Sequence, residues 1–224
     1  MVAVAPLDEP TMLLRVVEVR DAGRTARLHL EALPGGFFVS LGPRFLRAYH
    51  RTFLTSPAGI ALLAERDGET VGFIVGTVDE ATHYRHVVRR DRWSLGARGL
   101  AALMSKPELL VRFVQTRLYR YLRGMVRLSR APVATDNEGT VRATTGVLRH
   151  MAVDAAHRGD GVGAVLLDAF VDTAKAQGAR SIRLSTAANN VAAQRFYERH
   201  GWQSGGQQTD ADGQRWFHYG RRLR

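Results

Sequence analysis

Three glycines at alternate positions, Gly159, Gly161 and Gly163, follow Arg158 and an apolar run that ends near Val153. Glycine lets a backbone come close to a ligand, and the open N–H groups and dipole of a helix N-terminus favour an anion. An apolar-periodic helix opens at Gly163 and continues through Leu166 and Leu167 to Val171. Strand, glycine loop and helix in that order read as a phosphate cradle formed by Arg158, Gly159, Asp160, Gly161, Val162, Gly163 and Ala164. Further along, Asn190, Ala193 and Tyr197 are three and four positions apart, so on a helix they share one face. A small residue between two polar ones leaves room for a ligand chain.

Other cradles fit less well. A nucleoside-triphosphate loop ends in Gly-Lys-Ser/Thr, whereas Ala164 and Val165 follow Gly163. A dinucleotide loop wants an acid about 20 residues on, at the end of the next strand. The next strand candidate, Ser181–Thr186, runs instead into two alanines. What remains is Arg158-x-x-Gly161-x-Gly163, then a strand, then Asn190-x-x-Ala193-x-x-x-Tyr197-x-x-x-Gly201-Trp202. From Gly146 to Trp202 this resembles the GNAT superfamily of N-acetyltransferases, and the rest of the chain follows it in order of elements.

The resemblance implies that the loop holds the pyrophosphate of acetyl-coenzyme A (acetyl-CoA), the co-substrate. It assigns Asn190, with Ala193 beside it, to the pantetheine chain, and Tyr197 to protonating the departing thiolate. It also implies that a backbone N–H among Met151, Ala152 and Val153 polarises the thioester carbonyl. The strand Val147–Val153 can offer free backbone groups to that chain provided it splays from Ser181–Thr186. The general base stays open. His150 is the candidate nearest the loop and titrates near neutrality; Glu31, His83, His86 and His218 are weaker ones on the acceptor side.

The elements that must position these residues follow from the pattern. Met12–Val19 reads as a first strand, and Asp21 caps a helix that Pro34-Gly35-Gly36 ends near Leu33. Phe37 and Phe38 follow in a loop; by the resemblance they belong to the acceptor pocket, and otherwise they plug the core. Pro43 opens a second helix with Phe45, Leu46, Tyr49, Phe53 and Leu54 on one stripe. Ile60–Glu65, the Asp67-Gly68 turn and Thr70–Val78 form a hairpin. Trp202–Gln208 and Arg215–Tyr219 close the chain as another, and the turn between them, from Asp210 to Gly213, is expected to line the acceptor pocket. The expected fold is α/β (α+β): a mixed, mainly antiparallel sheet flanked by helices, with a helical insertion between the third and fourth strands.

Residues 1–224 read as one domain, with 80–140 as the insertion. Between Ala81 and Arg130 twelve basic residues face only Asp91 and Glu108, so nearly all of the net +11 lies there. Arg112, Thr116, Arg120, Arg123 and Arg127 recur on one side of a helix over 108–125, with Leu110, Val114, Leu118, Tyr121 and Leu122 on the other. Trp93, Leu95, Leu100, Leu103 and Met104 mark a shorter helix before Pro107. A solvated arginine face is the plain reading. The functional readings are an anionic acceptor, an anionic surface or an acidic partner; no nucleic-acid motif accompanies the charge. The connection leaves the sheet at the end opposite the loop, so the insertion is expected to border the acceptor site.

With 45% hydrophobic and 24% charged residues the chain is of globular type. The absence of cysteine excludes disulfides, thiolate catalysis and zinc–cysteine sites, and no metal is expected. No secretory pattern opens the sequence and no apolar run spans a bilayer, so the expectation is a cytoplasmic enzyme. That enzyme would N-acetylate a small-molecule amine, anionic or sugar-linked, by direct attack on the thioester. The alternatives are a non-catalytic acyl-CoA-binding regulatory domain, or a peripheral membrane or nucleic-acid binder acting through the basic segment.

Overall fold

Apolar residues on both faces of a strand demand cover on both sides. In β2 (Gly59–Arg66) Ile60, Leu62 and Ala64 join one buried cluster and Ala61 and Leu63 another. The computed structural model describes residues 12–34, 36–118, 144–210 and 213–223. Its remaining strands are β1 (Met12–Val16), β3 (Glu69–Thr77), β4 (Thr144–Val153), β5 (Ala179–Ala187), β6 (Gln203–Thr209) and β7 (Arg215–Arg222). They form one seven-stranded sheet in the order β1-β2-β3-β4-β5-β7-β6. Only β4 and β5 are parallel; every other neighbouring pair is antiparallel, as expected. The β2–β3 turn has positive φ at both Asp67 (52°) and Gly68 (80°), the geometry of the tightest hairpin turns.

One face carries α1 (Ala22–Ala32), α2 (Phe37–Ser40) and α3 (Pro43–Thr55), with Leu28 and Phe53 packed on Leu63, Phe73 and Val75. The other carries α7 (Val162–Ala176), whose Leu166, Leu167 and Phe170 are fully buried. Each such side chain contributes roughly 1.5–3 kcal/mol. Gly76 makes that contact possible: a Cβ there would stand 2.6 Å from the Phe170 ring and 2.3 Å from the Val147 carbonyl oxygen. The final helix, α8 (Val191–Arg199), follows β5.

Asp21 does not cap α1 through its side chain. It is buried and accepts hydrogen bonds from Arg15 (2.6 and 3.1 Å) and from the Glu18 N–H (2.9 Å). A carboxylate out of water needs such partners more than a helix end needs a cap. Arg15 also holds Glu65, and its hydrogen bonds keep both carboxyls below their usual range.

Between β3 and β4 the described residues run through α4 (Glu80–His86), a wide turn (Val87–Asp91), α5 (Arg92–Met104), α6 (Pro107–Phe113) and another wide turn to Leu118. Residues 119–143, which include Arg120, Tyr121, Leu122, Arg123 and Arg127, lie outside the described residues. The expected faces are corrected in two places. Trp93, Leu100 and Met104 are exposed at 77%, 58% and 67%, and Leu103 alone of that helix is buried. In α6, Leu109 and Phe113, not Val114, turn inward, because the Phe113 ring stacks on Phe37 at 5.5 Å.

Candidate active site

The site begins where two parallel strands part. β4 and β5 pair from Thr144 opposite Ala179 to Val147 opposite Arg183, and no pair follows. On its other edge β4 stays with β3, but the register jumps from Leu148–Gly76 to His150–Val75. Arg149 is the extra residue of a bulge, a device that bends a strand and re-aims its side chains. Pantetheine binding at β4 requires this splay, and the splay is present.

Into the gap opens a cavity of about 670 Å3, lined by His150 and Met151 from β4 and by Asn190, Ala193 and Tyr197 from α8 and the residue that caps it. A second, of about 550 Å3, shares Arg149, His150 and Ser185 with it and extends toward β6 and β7. Asn190 is the cap of α8 and not a residue on its face: its side-chain oxygen accepts the Ala193 N–H at 3.1 Å. Capping fixes that oxygen and leaves the amide NH2 for a ligand. Tyr197 is buried against Phe196, Trp202 and Tyr219, and burial pushes its hydroxyl pKa up.

The glycine loop lies beyond the cavity lining. After a single turn at Ala155–His157, Gly159 (φ 97°) and Gly161 (φ 79°) adopt conformations that favour glycine, and Gly161 is the cap of α7. The helix therefore opens at Val162, one residue before Gly163. Gly163 lies within the first turn of α7, where a Cβ would make ordinary contact with the Phe196 ring at 3.5 Å. The Ala164 N–H already donates to the Gly161 carbonyl at 3.0 Å, which leaves the amides upstream to face out of the helix end. Arg158 is exposed, and Asp160 is paired with Arg66 at 2.8 Å. That pairing neutralises the one acid in the loop. Ala152 is buried in the core beneath α1 and α3, so only its backbone can meet a ligand; Val153 packs at the edge of the opposite core.

These residues fit an acyl-coenzyme A: outward amides beside an arginine for the pyrophosphate, an unpaired strand edge for the pantetheine, and a hydroxyl that keeps its proton for the sulfur. Among the described residues no group of three or more His, Asp or Glu is placed to hold a metal. Nor is any helix among them long and apolar enough to cross a membrane.

On the acceptor side, Phe37 and Phe38 lie on α2 and not in a loop, half-buried and lining the larger cavity. They also pack a small core with Leu41, Phe45 and Leu103, so lining a cavity and filling a core coincide in these two rings. Gly36 joins the lining; Gly35 lies outside the described residues. Leu109 and Arg112 of α6 line it as well, which brings the segment between β3 and β4 to the cavity. Arg149 lines both cavities and is paired with Glu80, which also holds Arg183.

His150 meets the Tyr49 hydroxyl at 3.1 Å, and its ring lies 4.4 Å from that of His29. His29 Nδ1 in turn meets His50 Nε2 at 2.9 Å. Burial lowers His150 well below its usual range, helped by the neighbouring His29 and His50. Burial also lowers His29 to about 4 and His50 to about 3. His150 thus reaches the site as a neutral hydrogen-bonding ring. His83 is buried against Phe53 and His86 meets Thr55, neither in the cavity lining, and Glu31 is exposed outside it. His218 does line the second cavity. The sequence placed Asp210 in the closing hairpin's turn, and that residue lines both cavities; the sequence did not mark Tyr49, His29, Ser185 and Trp216 as site residues. Their only signal was a polar or aromatic side chain, with nothing local to bring them together.

Residues 27–202 match the model of the family described as Acetyltransferase (GNAT) family. No curated protein sequence matches the chain significantly. Among solved structures it is similar to Ard1 from Thermoplasma volcanium, at 18% identity and TM-score 0.57 over 95% of this chain and 98% of that one. It is also similar to the ribosomal-protein-S18-alanine N-acetyltransferase from Escherichia coli, at 12% identity and TM-score 0.57 over 95% and 94%. An N-acetyltransferase from Staphylococcus aureus Mu50 gives 14%, 0.57, 96% and 99%. These structural likenesses concern the fold.

Proposed function

This chain belongs to the GNAT family of acetyltransferases, and from that premise we propose a cytoplasmic, acetyl-CoA-dependent N-acetyltransferase of a small-molecule amine bearing an anionic or sugar-linked group. The family uses acetyl-CoA as co-substrate, and its members are acyltransferases acting on amines. The observation that carries the reading is the parting of β4 and β5 after Val147 and Arg183. It opens one cavity that meets Met151, Asn190 and Tyr197 at one end and Arg112 and Phe37 at the other.

In this reading the glycine loop and Arg158 hold the pyrophosphate, and the free edge of β4 takes the pantetheine. An N–H between Met151 and Val153 polarises the thioester carbonyl. The amine attacks the carbonyl carbon, the C–S bond breaks, and the thiolate leaves next to Tyr197. Burial keeps Tyr197 protonated at neutral pH. The same dry surroundings raise the basicity of the thiolate, so a proton held by Tyr197 is available to it. Arg112 and Arg149 favour an acceptor with a phosphate or carboxylate and disfavour a polycation. Phe37, Phe38 and Trp216 supply apolar walls for the rest of it.

Calorimetric titration with acetyl-CoA, beside the variant Arg158→Glu, tests the reading. Micromolar binding that the variant loses, followed by thiol release with a panel of amines, is the expected result. Folded protein that binds no acetyl-CoA would overturn it.

A further inference from the structure

We propose that Ser185 and His218, oriented by Gln208, form the proton relay that receives the acceptor's proton; the inference rests on the acetyl-transfer reading. Ser185 lies two residues beyond the last β5 pair with β4, just inside the gap, and lines both cavities. It faces His218 directly across the β5–β7 ladder, with Ser185 Oγ 2.8 Å from His218 Nδ1. On the far side of the ring, His218 Nε2 is 3.1 Å from Gln208 Oε1.

The polarity of this chain follows from its end. With the Gln208 oxygen turned to the ring, Gln208 accepts; the relay takes the tautomer in which Nε2 carries the hydrogen and Nδ1 is bare. The Ser185 hydroxyl therefore donates to Nδ1 and keeps its own lone pairs for a donor in the cavity. Hydroxyl, imidazole and orienting group in line are the arrangement by which a weak acid is made to accept a proton. His218 shares its cavity with Asp210 from the turn between β6 and β7, with Arg149 and His150 from β4, and with Tyr49 from α3. Arg183, two residues before Ser185, is paired with Glu80.

An ammonium acceptor loses two protons as it becomes an amide. One ends on the coenzyme A sulfur, whose bond to the acetyl carbon breaks as the C–N bond forms. The other passes to Ser185 Oγ while the Ser185 proton moves to His218 Nδ1, and the imidazolium then releases it to solvent. No further reactant is needed. His150 is a poorer acceptor for that proton, being enclosed by His29 and Tyr49.

The test compares wild type, Ser185→Ala and His218→Gln with two amine probes, tryptamine (an ammonium at pH 7) and 4-aminobenzoate (already neutral at its amine there). Acetyl-CoA affinity is followed by calorimetry. The expected result is unchanged acetyl-CoA binding, with turnover of tryptamine falling about 100-fold at pH 7. The variants should approach wild type as the pH rises toward 10, where a growing share of the amine is neutral in solution, and the loss with 4-aminobenzoate should be several-fold smaller. A loss equal at all pH values and for both probes would mark a structural role and overturn the relay. Undiminished turnover would do the same while leaving the acetyl-transfer reading intact. Wild type that binds no acetyl-CoA would overturn both. Nitrogen-15 NMR of His218 gives an answer without turnover: the relay requires the Nε2–H tautomer, and the Nδ1–H tautomer would sink it.

Discussion

The Tyr49 hydroxyl and His150 Nε2 stand 3.1 Å apart, joining α3 to the bent part of β4 across 101 residues of sequence. The bond links a helix of the cavity wall to the strand that has parted from β5.

Removing that hydroxyl therefore tests how firmly the bend is held. Tyr49→Phe should cost about 1 kcal/mol of stability and change the His150 ring resonances, while acetyl-CoA affinity stays the same. Unchanged His150 signals would show that the ring is positioned by packing alone.

Gly76 offers a sharper structural test. In Gly76→Ala the new methyl meets the Val147 carbonyl and the Phe170 ring, neither of which can withdraw from the centre of the sheet. A loss of about 2–3 kcal/mol in urea unfolding is expected. A variant as stable as wild type would mean that β3 shifts to accommodate it.

Buried histidines make stability depend on pH. His29 and His83 are lowered to about 4 and His50 to about 3, chiefly by burial, from an ordinary value of 6.5. Above 6.5 both folded and unfolded chains hold them neutral, so their stabilisation is complete. As pH falls from 6.5 toward about 4, the unfolded chain takes up protons that the folded one refuses, and stability declines. The loss is on the order of 3 kcal/mol for His29 alone. Urea midpoints should fall between pH 7 and pH 4.5, and His83→Leu should flatten the slope; a flat wild-type profile would contradict this.

The ion pair of Arg66 and Asp160 spans 94 residues to reach the phosphate loop. Arg66→Ala would leave a bare carboxylate in the cradle, with a repulsion of about 1 kcal/mol toward the pyrophosphate in water. Acetyl-CoA affinity should drop about fivefold, and adding Asp160→Asn should restore it. Equal affinities for the single and double variants would show that Asp160 points away from the ligand.

Much of the glycine loop and of α8 was legible because its determinants are local. The alternation of Gly159 and Gly161 sets the backbone of the loop within a few residues, and the spacing of Asn190, Ala193 and Tyr197 sets them along one helix and its cap. Local patterning also gave the β2–β3 hairpin and the stripe of Phe45, Leu46 and Phe53 on α3. It misplaced the helix start by one residue, because the cap falls on Gly161, the middle one of three alternating glycines.

The rest of the cavity lining was decided only by the tertiary structure. Whether β4 parts from β5 depends on the bulge at Arg149, which is a matter of register between strands and leaves no mark in either one alone. The inward side of α6 was set by the Phe37 ring, more than seventy residues upstream, which chose Phe113 and carried Arg112 to the cavity. Ser185, His218 and Gln208 meet through pairings of three strands, and Tyr49, His150 and His29 through the docking of two helices on a fourth. A residue type announces what a side chain can do, but distances of 3 Å between remote positions arise only when burial of the apolar faces selects one arrangement of the whole sheet.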